Sequence, residues 1–242
     1  MSAAGAEVLR ELHLVRAGSR RPLVLPGPWD AASARAFEAA GFPALAVPSA
    51  GVAAALGHED GATPAAEMFA AVARIARAVS VPVTADVEGG YGLSPKELVH
   101  RVLETGAVGV NLEDSDRAHG LEEPAAQADF LAAVRAEAGG ELFVNARVDT
   151  YLHGHTAAAA VERALLYEAA GADCVYPITA PAGDLPEIRA AVRGPLNFLF
   201  RPGDPSFAEL GRLGATRITF GPGLLLRTLV HVGELAEELL TS

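Results

Sequence analysis

Three short acidic segments hold most of the residues that could do chemistry: Thr84-Ala-Asp-Val-Glu-Gly-Gly-Tyr-Gly92, Asn111-Leu-Glu-Asp-Ser115 and Asn145-Ala-Arg-Val-Asp149. Asp86, Glu88 and Glu113 are hard oxygen donors that can surround an octahedral Mg2+ directly or through water, and Mn2+ fits a similar arrangement. Gly89, Gly90 and Gly92 let the intervening turn approach a ligand closely. Arg147 offers a planar donor set for a carboxylate or phosphonate and offsets the acidic charge. Together these residues suit a small anionic oxyacid. Singly, each stays open. Two carboxylates one residue apart also occur on ordinary solvated loops. Asp114 either faces solvent or orients Glu113 or a bound water, and Asp149 either positions Arg147 or forms an ordinary surface pair.

Each segment follows a short apolar run, and those runs alternate with helical patterns along the chain. Strands are predicted over residues 23–25, 44–48, 81–85, 108–112, 142–146, 174–176, 196–200 and 217–220. Helices are predicted over 4–17, 30–40, 64–78, 95–105, 124–137, 156–170, 185–191, 205–213 and 223–240. Ser94-Pro95 supplies a cap and a prolyl first turn, while Gly106, Gly139 and Gly171 can end helices without a β-carbon penalty. Eight strand-helix units predict an α/β fold, a single (β/α)8 TIM barrel with an N-terminal helix, covering 1–242 as one domain. A doubly wound sheet is the alternative. In a barrel the three acidic segments meet at the C-terminal ends of neighbouring strands. The stretch 114–124 reads as a loop over that site. The leucine-rich face of the last helix is expected to seal the barrel rather than join a neighbour.

Composition narrows the setting. The chain has 242 residues, 50% hydrophobic and 20% charged, enough to bury one large core. A net charge of -11 disfavours nucleic acid and anionic membrane surfaces as partners. No stretch is long and apolar enough to span a bilayer, and the charged N-terminus lacks a signal-peptide pattern. Cys174 is the lone cysteine, which excludes an internal disulfide and a thiol cluster and points to a reducing, cytoplasmic setting. His58 and His153 lack the spacing of a zinc site.

Taken in order, the Asp-containing Gly-Tyr-Gly segment at 86–92, Asn-Leu-Glu-Asp at 111–114 and Ala-Arg-Val-Asp at 146–149 resemble the isocitrate lyase/phosphoenolpyruvate mutase superfamily, in its short bacterial-type phosphoenolpyruvate mutase-like branch. The resemblance runs from Gly27-Pro-Trp-Asp30 through Pro48-Ser-Ala-Gly51 and Leu56-Gly-His-Glu-Asp60 to Pro195-Leu-Asn197 and Phe220-Gly-Pro222. It implies a (β/α)8 barrel that uses Mg2+ to bind a 2-oxoacid and stabilise its enolate while a carbon-carbon or carbon-phosphorus bond is cleaved or formed. Asp86 would then be the direct metal ligand, Glu88 and Glu113 would hold the metal and its waters, and Asp60 would be auxiliary. Ser49, Ala50 and Gly51 would set a hydroxyl and backbone donors against the substrate, and Arg147 would bind its anionic end. Trp29 and Asp30 would shape the entrance, and Asn197 would complete the substrate site. The family also implies a homodimer or homotetramer.

Some residues depart from the family pattern. The pair at 86 and 88 is Asp and Glu, where better-known members carry two aspartates. The Lys-Lys/Arg-Cys-Gly-His loop of the isocitrate and methylisocitrate lyases is replaced by Asp116-Arg-Ala-His-Gly-Leu121. Cys174, inside a predicted strand, is expected to be a buried structural thiol. Nor is the lysine- and asparagine-bearing gate of the phosphoenolpyruvate mutases evident. Tyr91, Arg117 and His119 are left as candidate proton donors or positioning groups. The leading expectation is carbon-carbon cleavage of a small 2-oxoacid or substituted malate. The alternatives are a mutase or hydrolase acting on a phosphonate, and a non-catalytic metabolite-binding barrel.

Overall fold

The computed structural model describes residues 2–19, 21–116 and 120–242. Helix α1 (Ser2–Ser19) leads into β1 (Leu23–Val24), followed by α2 (Ala31–Ala39), β2 (Leu45–Val47), α3 (Ser49–Leu56) and α4 (Ala65–Ala76). Next come β3 (Val83–Asp86), α5 (Pro95–Thr105), β4 (Gly109–Glu113), the short β5 (Ser115–Asp116) and β6 (Gly120–Leu121), and α6 (Pro124–Ala138). The chain continues through β7 (Phe143–Val148), α7 (Ala157–Ala169), β8 (Cys174–Pro177), α8 (Leu185–Ala191), β9 (Asn197–Leu199), α9 (Phe207–Leu213), β10 (Arg217–Thr219) and α10 (Gly223–Thr241).

Strands β2-β3-β4-β7-β8 form one parallel sheet and β1-β10-β9 another. A parallel bridge between Val175 and Leu196 links them on one side. On the other, the Ala46 amide donates to the Pro26 carbonyl at 3.0 Å. The observed architecture is thus an alternating α/β succession of eight parallel strands. The β5–β6 pair is an antiparallel hairpin set apart from it.

Strand residues two apart share a face, and the two faces differ in chemistry. Val83, Ala85, Val110, Leu112, Val144, Ala146 and Val148 meet Met68, Val72 and Ile75 of α4, Leu98 and Val102 of α5, and Leu131 and Val134 of α6 in one apolar core. Val175, Phe198 and Ile218 meet Leu185, Ile188 and Leu210 in a second. The opposite face carries Thr84 and Asp86, Asn111 and Glu113, Asn145 and Arg147, Cys174 and Tyr176, Asn197, and Arg217 and Thr219. A β-carbon on Gly109 would come within 2.9 Å of Thr84 Oγ1 and 3.1 Å of the Phe143 carbonyl oxygen, so only glycine lets β3, β4 and β7 approach as they do.

Helix α1 covers the N-terminal ends of the strands: Ala6 and Leu9 pack with Leu23, Leu25, Ala44, Val108, Phe143 and Cys174. The His13 ring stacks on Phe143 with centroids 4.4 Å apart. Asp173 ties three elements together, accepting from Arg10 Nε at 2.9 Å, from the Val144 amide at 2.8 Å and from Arg135 Nη2.

The capping signals work as expected. Ser94 accepts from the Glu97 amide at the start of α5, and Gly106 ends that helix at φ 87°. Asp30 caps α2, accepting from the Ser33 amide at 2.7 Å. Three features differ from the sequence-based expectation. The turn after β2 is itself a helix, α3. The loop over the site contains the β5–β6 hairpin. And α10 does not seal the molecule: Leu225 is its buried residue, while Leu226, Leu229, Val230, Val232, Leu235, Leu239 and Leu240 are exposed. No helix among the described residues is long and apolar enough to cross a membrane.

Candidate active site

Register brings the acidic segments together. Asp86 pairs with Asn111, Glu113 with Arg147, and Arg147 with Tyr176 across adjacent parallel strands. All lie at or near the C-terminal strand ends, where βα loops converge. The turn after Asp86 is laced to β4: the Val87 amide donates to the Asn111 carbonyl and the Glu113 amide to the Glu88 carbonyl. Among the described residues, Glu88 (φ 52°), Tyr91 (φ 57°) and Thr179 (φ 62°) are the non-glycines at positive φ, and all three follow β3 or β8. Such backbone is strained and persists where its surroundings fix it, typically beside a site.

Arg147 is held in place. Its Nε and Nη2 donate to the two carboxylate oxygens of Asp149 at 2.7 and 2.9 Å. Its Nη1 pairs with Glu113 Oε2 and stands 3.8 Å from Asp86 Oδ2. Asp149 also accepts from Ser115 Oγ at 2.6 Å, and its amide donates to Asp114 Oδ1 at 2.7 Å. Asp114, fully buried, takes further bonds from Arg163 Nη1 at 2.9 Å and Tyr167 OH at 2.7 Å. Asp149 thus positions Arg147, while Asp114, buried and tied to Arg163 and Tyr167 of α7, neither faces solvent nor bonds Glu113 but holds the Asp149 amide.

Burial pushes the Glu113 carboxyl up to about 9, with Arg147 opposing and Asp86, Asp149 and Glu88 reinforcing the shift. Burial likewise raises Asp86, against Arg147. Burial works against the Arg147 charge, but Asp86, Asp149 and Glu113 outweigh it and hold the guanidinium protonated more firmly than usual. Asp86, Glu88 and Glu113 thus gather carboxyl groups around Arg147, and burial shifts Asp86 and Glu113 toward their neutral forms. Among the described residues no three His, Cys, Asp or Glu side chains form a ready-made metal cluster. The donor chemistry nevertheless suits Mg2+, which keeps several waters and needs only one or two carboxylates directly.

Two cavities open here. The inner one, about 190 Å3, is lined on its polar side by Ser49, Asp86, Asn111, Arg147, Tyr176 and Thr219, and on its apolar side by Leu152, Ile178, Leu199 and Pro222. The outer one, about 820 Å3, adds Glu88, Tyr91, Glu113 and Phe130. Ser49, Asp60 and Arg147 line both, and Ala50 lines the inner one. Trp29, Asp30, Gly51, Gly90 and Asn197 line neither. Trp29 packs edge-on to Phe37, Gly51 is buried in the first turn of α3, and Asn197 Nδ2 donates to Thr219 Oγ1 at 3.1 Å. Gly90 (φ 88°) takes the turn past Phe130, whose Cζ would lie 3.3 Å from a β-carbon there. Arg117 and His119 lie outside the described residues.

Sequence reasoning passed over Asn111, Tyr176 and Thr219 as site residues. Each sits in an apolar run that reads as core. The available signal was position: Asn111 is two residues before Glu113 and so shares its face.

The sequence profile of the phosphoenolpyruvate phosphomutase family matches residues 9–240. A protein of Mycobacterium tuberculosis is 37% identical over 203 residues, covering 83% of this chain and 78% of the relative. A solved structure from Burkholderia cenocepacia J2315, provisionally named a phosphonomutase, is 34% identical with a TM-score of 0.87, covering 97% of this chain and 98% of that one. A 2,3-dimethylmalate lyase, itself a superfamily member, is 27% identical with a TM-score of 0.84 over 98% of this chain and 88% of the other.

Proposed function

The chain belongs to the phosphoenolpyruvate phosphomutase family of the isocitrate lyase/phosphoenolpyruvate mutase superfamily, and from that premise we propose that it is a Mg2+-dependent enzyme. It acts on a small anionic 2-oxoacid through an enolate, and the favoured reaction is cleavage or rearrangement of a carbon-phosphorus bond. The reading rests on one observation: Asp86, Glu113 and Arg147 converge at the ends of three neighbouring strands, β3, β4 and β7, where Asp86 and Arg147 line a 190 Å3 cavity. The family profile and the likeness to a protein named a phosphonomutase support carbon-phosphorus chemistry ahead of the carbon-carbon cleavage that the sequence put first.

Asp86 would hold the metal, with Glu88, Glu113 and Asp60 on it or its waters, and Mn2+ could replace Mg2+. When bound, the metal supplies positive charge beside the 2-oxo group and the enolate oxygen. Arg147, fixed by Asp149, sets the anionic end of the substrate. Ser49 and Ala50 offer unpaired first-turn amides of α3, whose first helical bond runs from the Val52 amide to the Pro48 carbonyl. Tyr91, Arg117 and His119 are the candidate proton donors or positioning groups.

A second reading is carbon-carbon cleavage of an alkyl-substituted malate. It is supported by the likeness to 2,3-dimethylmalate lyase and by the apolar wall of Leu152, Ile178 and Leu199. In this proposal the eight strands close into a (β/α)8 barrel forming one domain over 1–242, and α10 joins copies into a homodimer or homotetramer. The buried Cys174 thiol agrees with a cytoplasmic setting, and the partner is a small anionic metabolite and not a nucleic acid.

The test is a panel of 2-oxoacid phosphonates, oxaloacetate and substituted malates with Mg2+, Mn2+ or chelator, with products identified by 31P and 1H NMR. A metal-dependent phosphorus product is expected. A carbon-carbon product transfers support to the second reading, and tight binding without turnover supports a metabolite-binding barrel. Absence of both turnover and binding sinks the proposal.

A further inference from the structure

Arg147 is a poor sole anchor for an anion, because much of its donor set is spent on Asp149 and Glu113. The inner cavity has other donors, and they are fixed from beneath. Asn111 Oδ1 accepts from Asn145 Nδ2 at 2.8 Å and faces Arg217 Nη2 at 3.4 Å. Arginine only donates, so the Asn111 oxygen must turn toward the interior and its Nδ2 toward the cavity that Asn111 lines.

Beside it, the Tyr176 phenol lines the same cavity, with the Thr219 hydroxyl as its hydrogen-bonding neighbour. Thr219 Oγ1 in turn accepts from Asn197 Nδ2 at 3.1 Å. Burial dominates and pushes Tyr176 up to about 12, so the group remains a neutral O–H donor near pH 7. Arg217, fully buried, has Nε and Nη1 without a hydrogen-bond partner and places a positive charge under this floor.

We propose that Asn111 Nδ2 and Tyr176 OH form a two-donor oxyanion site on the floor of the inner cavity. It is oriented by Arg217 and Asn145 on one side and by Thr219 and Asn197 on the other. The ligand group is an oxygen of a small carboxylate, enolate or phosphonate. Preorganised donors in a site sheltered from water stabilise such an oxygen more than they would in solution. The inference rests on the inner cavity being the substrate site, and it gives Asn197 a role at one remove: it orients Thr219.

The test is calorimetric titration of the full chain with oxalate and, separately, methylphosphonate, each with and without Mg2+. Tyr176→Phe is expected to weaken at least one of these probes about tenfold, the loss of a hydrogen bond to a charged group. Asn111→Asp keeps an acceptor for Arg217 and Asn145 but turns a carboxylate oxygen toward the ligand, and is expected to abolish binding. Tyr151→Phe, whose phenol bonds Asp184 away from the cavity, is expected to bind normally. Thermal melting confirms folding. If the wild-type protein binds one or both probes and Tyr176→Phe binds each of those equally well, the oxyanion floor is overturned and the cavity reading survives. If the wild-type protein binds neither probe, both fall.

Discussion

Two side chains show how local chemistry becomes measurable. Arg147 meets both oxygens of Asp149 and also Glu113, a geometry that needs a planar fork. Arg147→Lys keeps the charge but cannot make all three contacts. A fall of about a hundredfold in kcat/KM, roughly 2.7 kcal/mol, is expected with little change in melting temperature. His13, on α1 and stacked on Phe143, offers a pH test. Burial, then the charge of Arg217, lowers it from 6.5 to about 3, although its Nδ1 bonds the Leu9 carbonyl. The unfolded chain takes up a proton near pH 6.5 while the folded one resists until about pH 3, so stability is complete above pH 6.5 and drains away as pH falls through that window. Urea denaturation at pH 7 and pH 5 should differ by about 2 kcal/mol from this group alone, and His13→Phe should shrink that difference. An unchanged difference would show that His13 titrates normally.

At the scale of elements, close packing of β3, β4 and β7 depends on Gly109. The β-carbon of Gly109→Ala would press on Thr84 Oγ1 and the Phe143 carbonyl, and overpacking of this kind costs about 1–3 kcal/mol. A lower melting temperature and weaker Mg2+ response are expected together, because the same register sets Asp86 beside Asn111. The eight strands and most helices were legible because caps such as Ser94-Pro95 and runs such as Phe143–Val148 carry local signals. Helix α3 was not: Ser-Ala-Gly-Val-Ala-Ala-Ala-Leu has no polar face to mark its period. The β5–β6 hairpin was missed because two-residue strands have no alternation to detect. The carboxylates Asp86, Glu88 and Glu113, together with Arg147, stood out as charges in apolar surroundings. Tyr176 and Thr219 did not, because their roles come from a face that only strand register defines.

For the whole molecule, the unexpected feature is α10. Leu229, Val232 and Leu235 expose 52%, 53% and 55% of their surface along a helix of 19 residues. Such a stripe normally marks an interaction surface. Light scattering should give a mass at least twice the 24.9 kDa of one chain. The double change Leu229→Glu and Val232→Glu should return it to that of a single chain, and a wild-type protein running as a single chain would remove α10 from any assembly role.

The division between the two faces of the strands has a further consequence for how this protein can change. Aliphatic residues toward the helices carry most of the cohesion, while Asn111, Arg147, Tyr176 and Thr219 look the other way. A strand can therefore exchange an inward residue for another of similar size without loosening its grip on the helices. Mutational libraries confined to those inward positions should retain folded members at high frequency while diverging in the ligands they accept. The same number of substitutions spread over Val110, Val144 and Ile218 should mostly eliminate folded protein.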